Sequence, residues 1–304
     1  MKRTILFYSI ILLLTACASS DADQVNPDDP TNETPPVDDP IDDISTGKST
    51  KQINVNGTMR DYILYVPENY TGDTPLPLLF SFHGLGSSME NLYNKSKFDE
   101  LAESENFIVV YPEAIDEQWN LSSVDNPDID FVNALLDALE EDLNIDANRM
   151  YSTGMSNGGN ISFLLACELS DKIAAIASVT GLNLHLQVNE TCSTTRPIAV
   201  LQIHGTQDPI ARYVFVEPTL QYWIDYNNTE ANPTITPIPD TNTEDGSTVE
   251  RIAYSNGDEG TEVHILKVIG GGHQWPGHKG NMDINASQEV WNFVKKYDLN
   301  GIIE

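Results

Sequence analysis

Basic side chains are scarce in this sequence: 16 Lys and Arg stand against 46 Asp and Glu over 304 residues, for a formal charge of −30. A surface this acidic repels phosphate backbones and anionic bilayers, which excludes nucleic acid and a charged membrane face as partners. Cysteine is scarce too, with three in all, and no Cys/His spacing suggests a zinc site. No apolar run reaches the roughly 18 residues that a spanning helix needs. Hydrophobic side chains are not lacking. They make up 40% of the chain, with four Trp, twelve Tyr and nine Phe, enough for a real core. Global disorder is therefore excluded, and the length suits one large α/β domain or two small ones.

The few charges of positive sign near the start are informative. Lys2 and Arg3 precede a mostly apolar stretch, Ile5 to Leu14, and then Leu14-Thr15-Ala16-Cys17. A basic head, a short apolar segment and small residues describe an export signal rather than an anchor. Leu-Thr-Ala-Cys resembles the bacterial lipobox, in which the cysteine becomes the lipidated first residue of the mature chain. Residues 1–16 are thus expected to be a signal peptide, and Cys17 the lipid anchor and the chain's single membrane attachment.

Residues 18–44 carry nine acids, five prolines and no Lys or Arg. Such a segment cannot bury a core and repels itself, so residues 17–44 read as a disordered tether ahead of a domain at 45–304. At about 3 Å per residue it reaches up to about 80 Å. Ala18 stands where Asp would favour inner-membrane retention, which points to the outer membrane. Asp21 and Asp23 loosely resemble a surface-export signal. The remaining domain has 14 bases against 37 acids, net −23, so it is acidic in its own right. Cys167 and Cys192 are then the two cysteines left in an exported chain. An even remainder suggests one disulfide rather than two separate thiols.

From residue 52 onward strand and helix patterns alternate. Gln52–Val55 and Thr58–Val66 flank Asn56-Gly57 and read as a hairpin. Leu76–Phe82, Phe107–Tyr111, Arg149–Thr153, Ile173–Val179, Ile198–His204 and Val263–Ile269 are short apolar runs that suit buried parallel strands. Helical periodicity covers Lys95–Asn106, Ile129–Leu143 with Asp128 as its cap, Asn157–Leu169, Val214–Asn227 and Asn285–Tyr297. Glu250–Tyr254 is expected to pair with Val263–Ile269. This alternation predicts a single α/β domain: a mainly parallel central sheet with helices on both faces.

One pentapeptide carries chemistry. Gly154-Met155-Ser156-Asn157-Gly158 ends a predicted strand and opens a predicted helix, the setting in which Gly-x-Ser-x-Gly is a nucleophile elbow. Ser156 is the expected nucleophile, and the Asn157 N–H, at a helix start, faces developing negative charge. A serine needs a base, and the base an orienting acid, in the chain order Ser, acid, His. Asp208, in His204-Gly205-Thr206-Gln207-Asp208-Pro209, and His273, in Gly272-His273-Gln274-Trp275-Pro276-Gly277, each follow a predicted strand in that order. His83 precedes the nucleophile, and His204 is expected to be structural. Phe82-His83-Gly84-Leu85-Gly86 ends an early strand, where the second oxyanion donor belongs, and the Leu85 N–H is the candidate.

Together, His83-Gly84-Leu85-Gly86, Trp119-Asn120, Gly154 to Gly159, His204 to Asp208 and Gly272 to Gly277 resemble the polyhydroxybutyrate depolymerase and feruloyl esterase group. This is the α/β-hydrolase branch that includes carbohydrate esterase family 1, and the resemblance covers roughly residues 50–300. The His-x-Trp-Pro-Gly segment is its most specific element. The resemblance implies an α/β-hydrolase fold, a catalytic Ser156, Asp208 and His273, and no metal or organic cofactor. Cys167 and Cys192 fall where many members carry a pair. Trp119 and Trp275 lie in loops expected to flank the nucleophile, where their indoles either contact substrate or pack their own loops. Feruloyl or acetyl esters on polysaccharide are the expected substrates, with short-chain polyester hydrolysis as the alternative. A non-catalytic surface-binding lipoprotein is the reading from another class.

Overall fold

In a computed structural model that describes residues 45–183, 192 and 194–303, the domain opens with a hairpin, β1 (Gly47–Val55) and β2 (Thr58–Val66). Asn56 and Gly57 take φ of 51° and 89°, the positive values that a two-residue turn between twisted strands requires. The signal peptide, Cys17 and the acidic tether lie outside the described residues.

Eight further strands complete a ten-stranded sheet: β3 (Leu76–Phe82), β4 (Ile108–Pro112), β5 (Ile145–Met155), β6 (Ala175–Val179), β7 (Ala199–Gly205), β8 (Thr234–Ile238), β9 (Thr248–Tyr254) and β10 (Val263–Ile269). Their order is β1-β2-β4-β3-β5-β6-β7-β10-β9-β8. The six central strands, β4 to β10 in that order, are parallel, and the hairpins at both edges are antiparallel. Connections from β3 run outward to β4, whereas those from β5 run the other way to β6. The neighbouring carboxyl ends of β3 and β5 therefore form a topological switch point, the crevice where open α/β sheets bind ligands.

Side chains along each central strand alternate between two cores. On β3, Leu78, Phe80 and Phe82 face one core and Leu79 the other. The first core is covered by α3 (Pro127–Asp142), α4 (Asn157–Glu168) and α5 (Val216–Tyr226), through Phe131, Leu135, Leu164 and Trp223. The second is covered by α1 (Met89–Ser96), α2 (Phe98–Glu105) and α6 (Ala286–Val294), through Leu92, Phe98 and Trp291. Helices thus lie on both faces, as the alternating pattern predicts. A disulfide joins Cys167 on α4 to Cys192, with Cα atoms 4.8 Å apart.

Three local expectations need correction. The helix read as Lys95–Asn106 is two short helices, because Lys97 takes φ 54° and breaks the chain between α1 and α2. Asp128 is not the cap of α3. Asn126 caps it, its Oδ1 accepting the Asp128 and Ile129 N–H groups at 2.8 and 3.4 Å. The Asp128 carboxylate is instead buried against Arg60, at 2.6 Å, and accepts the Asn120 N–H at 2.7 Å. β8 was not foreseen. It is an edge strand exposed over most of its length, and Pro237 interrupts its otherwise β-branched run, so no buried apolar face marks it.

Candidate active site

Ser156 sits between the last residue of β5 and the first of α4, with φ 55° and ψ −117°. That backbone lies outside the basins open to a residue with a Cβ, and holding it costs on the order of 1–3 kcal/mol. Hydrogen bonds on both sides fix it. The Ser156 N–H donates to the Val179 carbonyl of β6 at 2.8 Å, and its carbonyl accepts from the Asn160 N–H at 2.9 Å. The flanking glycines are required by contact. A Cβ at Gly158 would overlap the Phe82 carbonyl at the end of β3, and one at Gly154 would meet both that carbonyl and the Gly158 backbone. The turn is closed so tightly that only bare backbone fits.

Phe82 and Gly154 are paired residues of β3 and β5, so the loop after β3 lies directly beside the elbow. A Cβ at Gly84 would come 3.5 Å from that of Ser156. The Gly86 N–H donates to the Glu117 carbonyl at 3.0 Å and the Ser87 N–H to Gly84 at 3.2 Å. Among the described residues the Leu85 N–H has no acceptor, and the Leu85 side chain is exposed. Asn157 begins α4, so the helix itself provides no acceptor for its N–H. Among the described residues neither backbone donor expected from the sequence, Leu85 or Asn157, has an acceptor; Asn157 follows Ser156 directly, and Leu85 follows Gly84, which packs against Ser156.

Two loops farther along the sheet bring the acid and the imidazole together. After β7, the Thr206 and Gln207 N–H groups donate to the Val268 and Gly271 carbonyls, at 2.9 and 2.8 Å, which joins the Asp208 loop to the His273 loop. Asp208 Oδ1 accepts from the N–H groups of Ile210 and Ala211, at 2.8 and 2.9 Å. Asp208 Oδ2 lies 2.7 Å from His273 Nδ1. With Nδ1–H donating to the carboxylate, His273 Nε2 is left as an acceptor. The Asp208 side chain is fully buried, while 12% of His273 remains open to solvent. Among the described residues no hydrogen bond joins Ser156 Oγ to His273. Met155, Pro209 and His273 border one cleft of about 570 Å³, so the chain neighbours of Ser156 and Asp208 share an opening with the imidazole.

Two further histidines near these loops, His204 and His83, are structural. His204 is buried, with Nε2 2.6 Å from the Ala211 carbonyl and Nδ1 2.9 Å from the Gln202 amide. Burial pushes its pKa below the ordinary imidazole value, which keeps it neutral. His83 is buried beneath the loop after β3, with Nδ1 2.9 Å from the Gly84 carbonyl and Nε2 2.9 Å from Glu113.

Substrate contact by the two tryptophans is not what their surroundings allow. Trp119 exposes 1% of its surface and Trp275 2%, too little for either indole to stack on a ring. Trp119 Nε1–H donates to the His83 carbonyl at 2.8 Å, and its backbone N–H to Asn157 Oδ1 at 2.8 Å. It is a brace between the loop after β3 and the elbow. Trp275 Nε1–H donates to Ser287 Oγ at 3.1 Å, and its ring meets Phe98 edge-on. A buried indole must pair its N–H, and both have done so inside the protein. The Asn157 side chain and the Val179 carbonyl, which hold the elbow, carried no local sequence signal, because the sheet brings their partners in from elsewhere.

A family model described as phospholipase/carboxylesterase matches residues 72–252. The bifunctional acetylxylan esterase/xylanase of Neocallimastix patriciarum is 28% identical over 249 residues, covering 81% of this chain and 34% of that protein. Feruloyl esterase D of Neurospora crassa is 31% identical over 172 residues, covering 53% of this chain and 57% of the relative. The chain therefore spans about a third to just over half the length of these curated relatives. Among solved structures, the acetyl xylan esterase from Aspergillus awamori superposes with a TM-score of 0.62 at 16% identity, covering 81% of this chain and 99% of that one. That likeness is one of fold.

Proposed function

The chain belongs to the phospholipase/carboxylesterase family of α/β-hydrolases, and from that premise we propose that it is a serine carboxylester hydrolase acting through Ser156, His273 and Asp208. The observation that carries this reading is a strained serine at the sheet's switch point, with a buried Asp208–His273 pair opening into the adjoining cleft. His273 Nε2 takes the Ser156 Oγ proton as Oγ attacks the ester carbonyl. The Leu85 and Asn157 N–H groups hold the oxyanion. His273 then returns its proton to the departing alkoxide, and a water molecule, deprotonated in the same way, releases the acid from the acyl-enzyme. Asp208 fixes the imidazole tautomer and balances its transient positive charge. Catalytic hydrogen bonds of this kind tighten when substrate is bound.

On this mechanism, Ser156→Ala lowers kcat on 4-nitrophenyl acetate by about 10⁴-fold or more and abolishes labelling by a fluorophosphonate probe. Turnover near the wild-type rate in that variant would sink the assignment. Feruloyl and acetyl esters on polysaccharide are the proposed substrates, a choice supported by the names of the relatives. Methyl ferulate, acetylated xylan and hydroxybutyrate oligomers, assayed side by side, test it. Preference for the hydroxybutyrate oligomers would refute it.

We further propose that the enzyme is exported and held at the cell envelope through a lipid on Cys17. The Cys167–Cys192 disulfide supports an oxidising compartment. Fatty-acid labelling of the full chain that persists in Cys17→Ala would count against it.

A further inference from the structure

Acids outnumber bases 37 to 14 in residues 45–304, and among the described residues seven of those bases pair with a carboxylate. Lys48 holds Glu90, Lys267 holds Glu250 and Lys295 holds Glu105. Lys95 and Lys279 hold none among the described residues. Both border the cleft of about 570 Å³ that Met155, Pro209 and His273 also line. Lys95 comes from the last turn of α1, and among the described residues its side chain's one polar contact is Met155 Sδ at 3.5 Å. Lys279 stands on the turn after Trp275, its backbone N–H bonded to the Trp275 carbonyl at 3.0 Å, with its side chain exposed. The two share that cleft, and partial burial together with the Lys279 cation pushes the Lys95 pKa below its ordinary value. The C-terminal end of α1 favours a cation at Lys95, but no such helix end accounts for Lys279. Nor does an acid of the active site neutralise them, since the Asp208 side chain is fully buried against His273.

We propose that Lys95 and Lys279 bind a carboxylate of the substrate, so that the ester preferred at Ser156 carries a negatively charged group, as an acyl ester of an acidic sugar does. The proposal rests on the esterase reading of Ser156 and narrows its substrate class. A carboxylate between the two ammonium groups relieves their repulsion and supplies the acid that each lacks. The net charge of −23 on the surrounding domain opposes approach at long range. At physiological ionic strength that repulsion is screened beyond about 8 Å, whereas the half-buried Lys95, in contact with the ligand, is screened less than an exposed charge. The pair thus selects one kind of anion at one place on a surface that repels anions in general.

Two matched ester pairs test this with the full chain. 4-Acetoxybenzoate against 4-acetoxybenzamide carries the charge on the leaving group, and 4-nitrophenyl hemisuccinate against 4-nitrophenyl butyrate carries it on the acyl group. In at least one pair the wild-type kcat/KM favours the anionic member. That preference falls about tenfold in Lys95→Gln/Lys279→Gln, as expected for two charges lost near a partly solvated ligand. Lys279→Gln alone, at an exposed position, shifts it in the same direction, and Lys97→Gln, a lysine paired with Glu100, leaves it unchanged. A preference that is the same in wild type and double variant, in both pairs, overturns the proposal. Should the wild type hydrolyse none of the four, the esterase reading fails separately. Titration with 4-hydroxybenzoate and 4-hydroxybenzamide, followed by NMR, then decides. Tighter binding of the anion that is lost in the double variant supports the lysine site, and equal binding of the two overturns it.

Discussion

Replacing Asp208 by Asn tests the proposed mechanism where it depends most on one geometry. The wild-type carboxylate has two separate tasks: Oδ1 holds the Ile210 and Ala211 N–H groups at 2.8 and 2.9 Å, and Oδ2 accepts His273 Nδ1–H at 2.7 Å. An asparagine keeps the first task through its carbonyl, so the loop after β7 retains its turn. Its NH₂ then occupies the place of Oδ2 and donates toward Nδ1. The imidazole must answer by carrying its proton on Nε2, where it can no longer accept from Ser156. The imidazolium formed during attack also loses its counter-charge. A unit pair about 4 Å apart at an effective dielectric of about 20 is worth about 4 kcal/mol, or roughly a thousandfold in rate. Tautomer and charge together place the expected loss in kcat on 4-nitrophenyl acetate at about 10³- to 10⁴-fold at neutral pH. Thermal unfolding should move by only a few degrees, because the two backbone bonds survive. A folded Asp208→Asn enzyme within tenfold of wild type would refute the assignment of Asp208 as the group that orients His273.

Trp119→Phe keeps a ring against Phe82 and removes the Nε1–H bond to the His83 carbonyl. Leaving that buried carbonyl unpaired costs about 1–3 kcal/mol, read by denaturant unfolding. Because Trp119 braces the loop that carries Leu85 and not the substrate, kcat should fall while KM stays nearly constant; a change confined to KM would show that the indole touches substrate after all. Away from the site, Glu262 is held at a pKa of about 2, below its ordinary 4.5, chiefly by the His264 imidazole, whose Nε2 lies 3.1 Å from its carboxylate. A depressed carboxylate contributes stability above the unfolded pKa and loses it as pH falls toward the folded one. The full shift corresponds to about 3 kcal/mol, which solvent screening of the partly exposed carboxylate reduces, so Glu262→Gln should lower stability at pH 7 by about 2 kcal/mol and flatten its decline between about pH 4.5 and pH 2, measured by urea unfolding across that range. An acid limb as steep as that of the wild type would refute the linkage.

What could be read from the sequence, and what could not, divides by the distance over which each feature is determined. The hairpin at Asn56-Gly57 is dictated by residues within a few positions of one another, because positive φ is a local demand, and the turn around Ser156 shows itself locally in its spaced glycines, although the backbone that excludes their Cβ atoms is largely that of Phe82 on β3. Asp208 and His273 were legible for a related reason: each follows a short apolar run, and parallel strands deliver the residues after them to one edge of the sheet. The cap of α3 is the opposite case. Asn126 and Asp128 are both good capping residues, and the choice between them is made by Arg60, which stands on β2 and claims the Asp128 carboxylate. The tryptophans teach the same lesson about direction. Sequence puts Trp119 and Trp275 in loops near the nucleophile, but which way an indole points depends on where its N–H can find an acceptor. The acceptors are His83 on the β3 loop and Ser287 on α6, far away in the chain. Lys95 and Lys279 belong to this second class as well. Neither belongs to a motif, and only the folded chain reveals that both border the cleft of the proposed active site with no carboxylate partner among the described residues. Long-range placement is thus the physical source of both the errors and the new inference: it moves two expected ligand contacts into the core and assembles another from residues with no motif.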